Sequence, residues 1–148
     1  MAMNMQCFGP LSEDAICNLE SALGVTLPGG YRSFLKETGG GIVKQDGENR
    51  ITIPSIGQTI AVDVLFGYGV TQNSDILYWN EKYRDEMLDG AVLIGFDVHQ
   101  GFLFLIADGR DDTGVYYWDD SYVFEESDDD QNVYLLMKDF SELAVRES

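Results

Sequence analysis

At 148 residues the chain has the length of one domain, read here as residues 1–148 without a linker, and a chain this size buries roughly 68–70% of its unfolded surface. Apolar residues at 45% and aromatics at 12% exclude a disordered acidic tail. With 26 Asp and Glu against 9 Lys and Arg, the net charge of −17 excludes a stand-alone nucleic-acid binder and repels an anionic membrane surface.

The opening Met1-Ala2-Met3-Asn4-Met5-Gln6 has neither a basic region nor an apolar one, so it reads as a flexible end without a secretory signal. Ser12 caps a first helix, with Glu13 and Asp14 at its positive end and Ala15, Ile16, Leu19, Ala22 and Leu23 at helical spacing. Gly24 ends it. Pro28 starts a second helix carrying Tyr31, Phe34 and Leu35, which Gly39-Gly40-Gly41 terminates. Cys7 and Cys17 are the only cysteines, expected reduced, with Cys17 near the first helix's buried face; this usage fits the cytoplasm.

Beyond Gly41 the period changes. Ile51-Thr52-Ile53 alternates and Ile60–Phe66 is β-branched and apolar, so strands are predicted. Asn73 or Ser74 opens a third helix with Ile76, Trp79, Tyr83 and Met87 on one stripe and a mixed-charge face opposite. Four short strands follow at Ala91–Phe96, Gly101–Ala107, Gly114–Trp118 and Tyr122–Glu125, separated by turns such as Asp108-Gly109. Val133, Leu136, Met137, Phe140, Leu143 and Ala144 predict a closing helix. The fold class is α+β: one mainly antiparallel sheet packed with N-terminal and C-terminal helices.

Chemistry is sparse. Asp108–Gly114 fails as an EF-hand loop, because Arg110 and Thr113 stand where an oxygen ligand and a glycine are required. His99 is the only histidine and sits in a turn, no G-x-S-x-G elbow occurs, and Gly67-Tyr68-Gly69 is too short for a dinucleotide loop. A carboxylate pair can always be drawn from so many acids and therefore carries no information. No catalytic residue, cofactor or metal is expected.

Charge distribution is the informative feature. Residues 1–96 hold 12 acids and 6 bases, whereas residues 97–148 hold 14 acids and 3 bases. Asp119, Asp120, Glu125, Glu126, Asp128, Asp129 and Asp130 concentrate in one segment, interleaved with Tyr116, Tyr117, Trp118, Tyr122 and Phe124. Acids beside aromatics fit a protein interface, since Tyr and Trp are its usual anchors. The candidate partner-binding set is Asp111, Asp112, Trp118, Asp119, Asp120, Tyr122, Glu125, Glu126, Asp128, Asp129 and Asp130. Strand alternation puts Trp118 and Asp120 on one face and Tyr117 and Asp119 on the other. The Glu125–Asp130 loop is free of that restriction.

The stretch Ile16-x-x-Leu19-Glu20-x-x-Leu23-Gly24-x-x-Leu27-Pro28-x-x-Tyr31-x-x-Phe34-Leu35 resembles the opening of the SUKH superfamily, the fold of cell-wall regulators and bacterial immunity proteins. Val92-Leu93-Ile94-Gly95, Phe102–Asp108, Gly114–Asp119 and Phe140-Ser141-Glu142-Leu143 extend the resemblance over nearly the whole chain. One departure is His99-Gln100-Gly101, where that superfamily often has paired glycines. The resemblance implies a non-enzymatic immunity protein that binds and neutralises a cognate toxin domain, often a nuclease. A nuclease is basic where it holds phosphates, so the acidic balance points the same way. An intracellular regulatory adaptor is the alternative.

Overall fold

The computed structural model describes residues 2–107 and 113–147. Strand β1 (Met3–Cys7) precedes helices α1 (Glu13–Leu23) and α2 (Gly29–Glu37), and β2 (Gly41–Val43), β3 (Arg50–Thr52) and β4 (Thr59–Leu65) follow. Helix α3 (Ile76–Lys82) then leads to β5 (Ala91–Asp97), β6 (Phe102–Ile106), β7 (Gly114–Trp118), β8 (Val133–Met137) and β9 (Val145–Glu147). The fold is α+β. The sheet runs β8-β7-β6-β5-β4-β2-β1-β9, with β3 paired to β4 off this path. Among the described strands only β1 and β9 pair in parallel.

The first two helices follow their end residues. Ser12 accepts a hydrogen bond from the Ala15 N–H, and Gly24 closes α1 at φ 73°. Ile16 and Leu19 are buried, whereas Cys17 is exposed, which corrects its expected place near the buried face; one residue after Ile16, it lies about a hundred degrees around the helix. Helix α2 buries Tyr31, Phe34 and Leu35. The rings of Tyr31 and Phe34 meet Phe140 edge-on at 5.1 and 4.9 Å. The helix ends at Glu37, and the chain turns away through Gly39 at φ 69° and Gly40 at φ 83°, where a Cβ on Gly40 would sit 2.3 Å from the Phe66 carbonyl oxygen.

Both ends of the chain depart from the sequence expectation. The opening segment is β1, held between β2 and β9, with Met3 and Met5 buried and Gln6 exposed. Its alternation is genuine, but methionine and polar residues carry little strand propensity. The closing helix is absent: Val133–Met137 is β8, Phe140–Glu142 is one 3₁₀ turn capped by Asp139, and Val145–Glu147 is β9. Val133, Leu136, Met137 and Phe140 satisfy helical spacing, yet Tyr134 and Leu136 are buried while Val133 and Leu135 are exposed. A short apolar run is compatible with either period, and pairing with β7 decides. The strand expected at Tyr122–Glu125 is instead part of the loop joining β7 to β8.

Helix α3 is shorter than its sequence stripe. Asp75 caps it by accepting from the Leu77 N–H at 2.9 Å, and a separate 3₁₀ turn covers Arg84–Glu86. Asn80 fixes it to β5, donating to the Leu93 carbonyl at 3.0 Å and accepting from the Leu93 N–H at 2.8 Å. Trp79 and Tyr83 are thereby laid on Phe102, with ring centroids at 5.6 and 4.9 Å. Phe96, Phe102 and Trp118 stand opposite one another across β5, β6 and β7 and form the floor beneath these rings.

Candidate partner-binding surface

The loop between β7 and β8 is organised by one carboxylate. Asp119 is fully buried and accepts from the Val123 N–H at 2.9 Å, the Phe124 N–H at 3.0 Å and the Ser127 hydroxyl at 2.6 Å. Ser127 Oγ also lies 2.8 Å from the Tyr134 hydroxyl, tying the loop to β8. Asp119 therefore leaves the candidate set, because its oxygens are spent on the loop's own donors and none of it reaches the surface. Alternation along β7 accounts for this: Tyr117 and Asp119 face inward together.

The remaining loop acids are carried outward on this frame. Asp128 accepts from the Asp130 and Gln131 N–H groups at 2.9 and 2.8 Å, forming a tight carboxylate-capped turn. Tyr122, at φ 53° and 47% exposed, donates its hydroxyl to Asp129 at 2.9 Å. That bond, more than the nearby charge, raises the phenol's pKa. Glu126 accepts from the Gln58 amide at 3.1 Å. Glu125, Glu126, Asp128, Asp129 and Asp130 are all exposed. Among the described residues no lysine or arginine forms an ion pair with them; the ion pairs present join Arg32 to Glu13 and Glu20, and Lys36 to Glu13. Asp111, Asp112 and the turn at Asp108-Gly109 lie outside the described residues.

Trp118 and Asp120 face the other way, toward α3. Trp118 is half-buried, edge-on to Tyr83 at 5.8 Å and beside Phe102 at 5.7 Å. Asp120 is half-buried as well, and its Oδ1 is sealed from solvent without a hydrogen-bond donor among the described residues. Burial first, and the neighbouring Asp119 charge second, push its carboxyl pKa up. Asp120 and Ser121 form one wall of a cleft of about 460 Å³ whose other wall is α3, through Trp79, Lys82 and Tyr83. The Lys82 ammonium lies over the Trp79, Tyr78 and Tyr83 rings at 5.3, 5.8 and 5.9 Å. Sequence reasoning assigned Trp79 and Tyr83 to core and Lys82 to a solvated face. Nothing in their spacing signals a shared cleft with Asp120.

The groups considered for catalysis are dispersed. His99 is exposed in the turn between β5 and β6. Cys7 lies in β1, its thiol pKa pushed up to about 12 by burial and by Glu147. Cys17 lies on the outside of α1. Among the described residues no three His, Cys, Asp or Glu side chains are grouped to hold a metal ion, and no helix is long and apolar enough to cross a membrane.

The model of the SMI1 / KNR4 family (SUKH-1) matches residues 10–145, from just before α1 into β9. No curated protein matches the chain at a significant level.

Proposed function

The chain belongs to the SMI1 / KNR4 family (SUKH-1), and from that premise we propose that it is a cytoplasmic, non-enzymatic immunity protein that binds and neutralises a cognate bacterial toxin domain. The observation that carries this reading is the β7–β8 loop. Its five exposed carboxylates, Glu125, Glu126, Asp128, Asp129 and Asp130, are held by a buried frame and have no cationic neighbour among the described residues. Fixed, unneutralised charge of one sign on a body of net −17 steers a basic partner into contact. A nuclease toxin is such a partner, since it must be positive where it holds phosphates. Neutralisation then needs no chemistry. The loop occupies the basic site and excludes the nucleic acid.

The test is association of the protein with a toxin domain identified among the genes beside its own, followed by stopped flow at low and high salt. Asp128→Asn, Asp129→Asn and Asp130→Asn together remove three charges, and the amide introduced at position 128 keeps the side-chain oxygen that caps the turn. The triple variant should associate about tenfold more slowly at low ionic strength, with the difference shrinking as salt screens it. An unchanged rate at low salt would reduce the loop to a solubilising surface and overturn the reading.

A further inference from the structure

The cleft between α3 and Asp120 has the chemistry of a receptor for one cationic side chain. Its α3 wall is aromatic: Trp79 stacks on Tyr83 at 6.2 Å, and Phe96 and Phe102 line the cleft with them. Ring faces are negative, and a cation over them is attracted within about 6 Å. The chain itself shows that these rings hold a cation, because Lys82 rests its ammonium on two of them, Trp79 and Tyr83, and forms no ion pair among the described residues. The opposite wall supplies the half-buried Asp120 carboxylate beside Ser121. Aromatic faces on one side and a carboxylate on the other ask for a planar cation with several N–H groups. Guanidinium fits better than ammonium, since it is weakly hydrated, stacks on rings and donates in pairs to carboxylate.

We infer that this cleft takes an arginine side chain of the protein partner, with its guanidinium laid on Trp79 and Tyr83 and donating to Asp120. The inference rests on the reading that the partner is a basic protein, and it names a second point of contact on it. Asp120 immediately follows Asp119, the residue that builds the acidic loop, so steering charges and receptor belong to one continuous segment. Long-range charge then governs arrival and the cleft governs departure. Lys82 is the resident competitor that an incoming arginine must displace or stack beside.

The chain's only tryptophans are Trp79 and Trp118, both in this region, so their indole N–H resonances report on it. The indole of Trp79 is anchored by donating to the Asn73 carbonyl at 2.9 Å. The probe is N-acetyl-arginine methylamide, with the norleucine analogue as its uncharged counterpart, titrated at low salt. The arginine probe should shift the Trp79 indole resonance saturably and the norleucine probe should not. Asp120→Asn should weaken apparent affinity about fivefold, and Lys82→Ala should tighten it by a similar factor. Glu37→Gln and Lys138→Ala change the same net charges elsewhere and should leave affinity unchanged. If Asp120→Asn fails to fold, Tyr83→Leu, which keeps an apolar wall without the ring face, serves in its place and should weaken binding. Equal shifts from both probes, or equal effects of Asp120→Asn and Glu37→Gln, would overturn the inference. The outcome is separable from the loop test: the Asp128, Asp129 and Asp130 triple variant should bind the arginine probe as the parent does, whatever its rate with the toxin.

Discussion

Tyr117 donates its hydroxyl to Asp97 at 3.0 Å, and that one bond joins β7 to the turn between β5 and β6, across the intervening strand β6. The same Asp97 oxygen accepts from the His99 and Gly101 N–H groups at 3.2 and 2.9 Å, while its Oδ2 has no partner among the described residues. Burial raises the Asp97 carboxyl pKa against the pull of these donors and of His99, and it raises the Tyr117 phenol as well. The native state therefore retains a proton that the unfolded chain has already lost. Stability falls as pH rises from the ordinary carboxylate pKa, near 4, through the raised folded value, and is then level. Asp97→Asn keeps the accepting oxygen and cannot ionise. Its melting temperature relative to the parent should climb as pH rises through this window and match the parent's in acid. Parallel curves for the two proteins would contradict the account.

The turn holding that bond gives a second prediction. Gln100 sits at φ 65°, a left-handed conformation that costs a side-chain-bearing residue about 1–2 kcal/mol. This is the segment where the family resemblance suggests paired glycines. Gln100→Gly should raise stability by about 0.5–1 kcal/mol in denaturant unfolding, part of the strain relief being offset by chain entropy. Gly101→Ala should do the opposite. Its Cβ would lie 1.9 Å from the Tyr117 hydroxyl oxygen, and forcing that core ring aside costs about 1–3 kcal/mol.

Asp119 tests the frame of the acidic loop. Asp119→Ala deletes three hydrogen bonds to a buried side chain and leaves their donors unpaired, which should cost about 2–4 kcal/mol. Proteolysis should then open the chain between residues 120 and 131 before the rest of the sheet unfolds. Ser127→Ala, which cuts only the link between Asp119 and Tyr134, should fall between Asp119→Ala and the parent.

Strand β1 is tested by paired substitutions. Met5 is fully buried, and Met5→Ala should cost about 2–5 kcal/mol, whereas its exposed neighbour Gln6→Ala should stay within about 0.5 kcal/mol. Similar small effects at both positions would mean that β1 contributes little to the sheet.

The contrast between legible and illegible parts of this chain has a physical origin. Helices α1 and α2 are readable because Ser12, Gly24 and Gly39 mark ends by local backbone chemistry. Strands β4 to β7 are readable because β-branched and aromatic runs are long enough to show their nature. Val133–Met137 is not, since its residues fit both periods and only the neighbour β7 chooses. The acidic loop is visible in composition, but the distinction between Asp119, which builds it, and Asp129, which it displays, arises from the inward turn of alternate β7 residues. The Asp120 cleft is hidden from sequence altogether. It exists only because Asn80 seats α3 on β5, bringing Trp79 and Tyr83 to a residue remote along the chain.

The parallel pairing of β1 with β9 sets an order for synthesis. Met3 lies beside Val145, and Asn4 meets Arg146 across 142 positions of chain. One side of β1 accordingly stays unpaired on the ribosome until residue 147 has emerged, with only β2 beside it. Closing so distant a pair is slow relative to local hairpins such as β6–β7. A nascent chain thus spends its longest interval as a helix pair and an antiparallel meander with an unzipped first strand. That interval is when a chaperone would find it, and the −17 charge, by keeping such intermediates apart, guards the fold before it has any partner to meet.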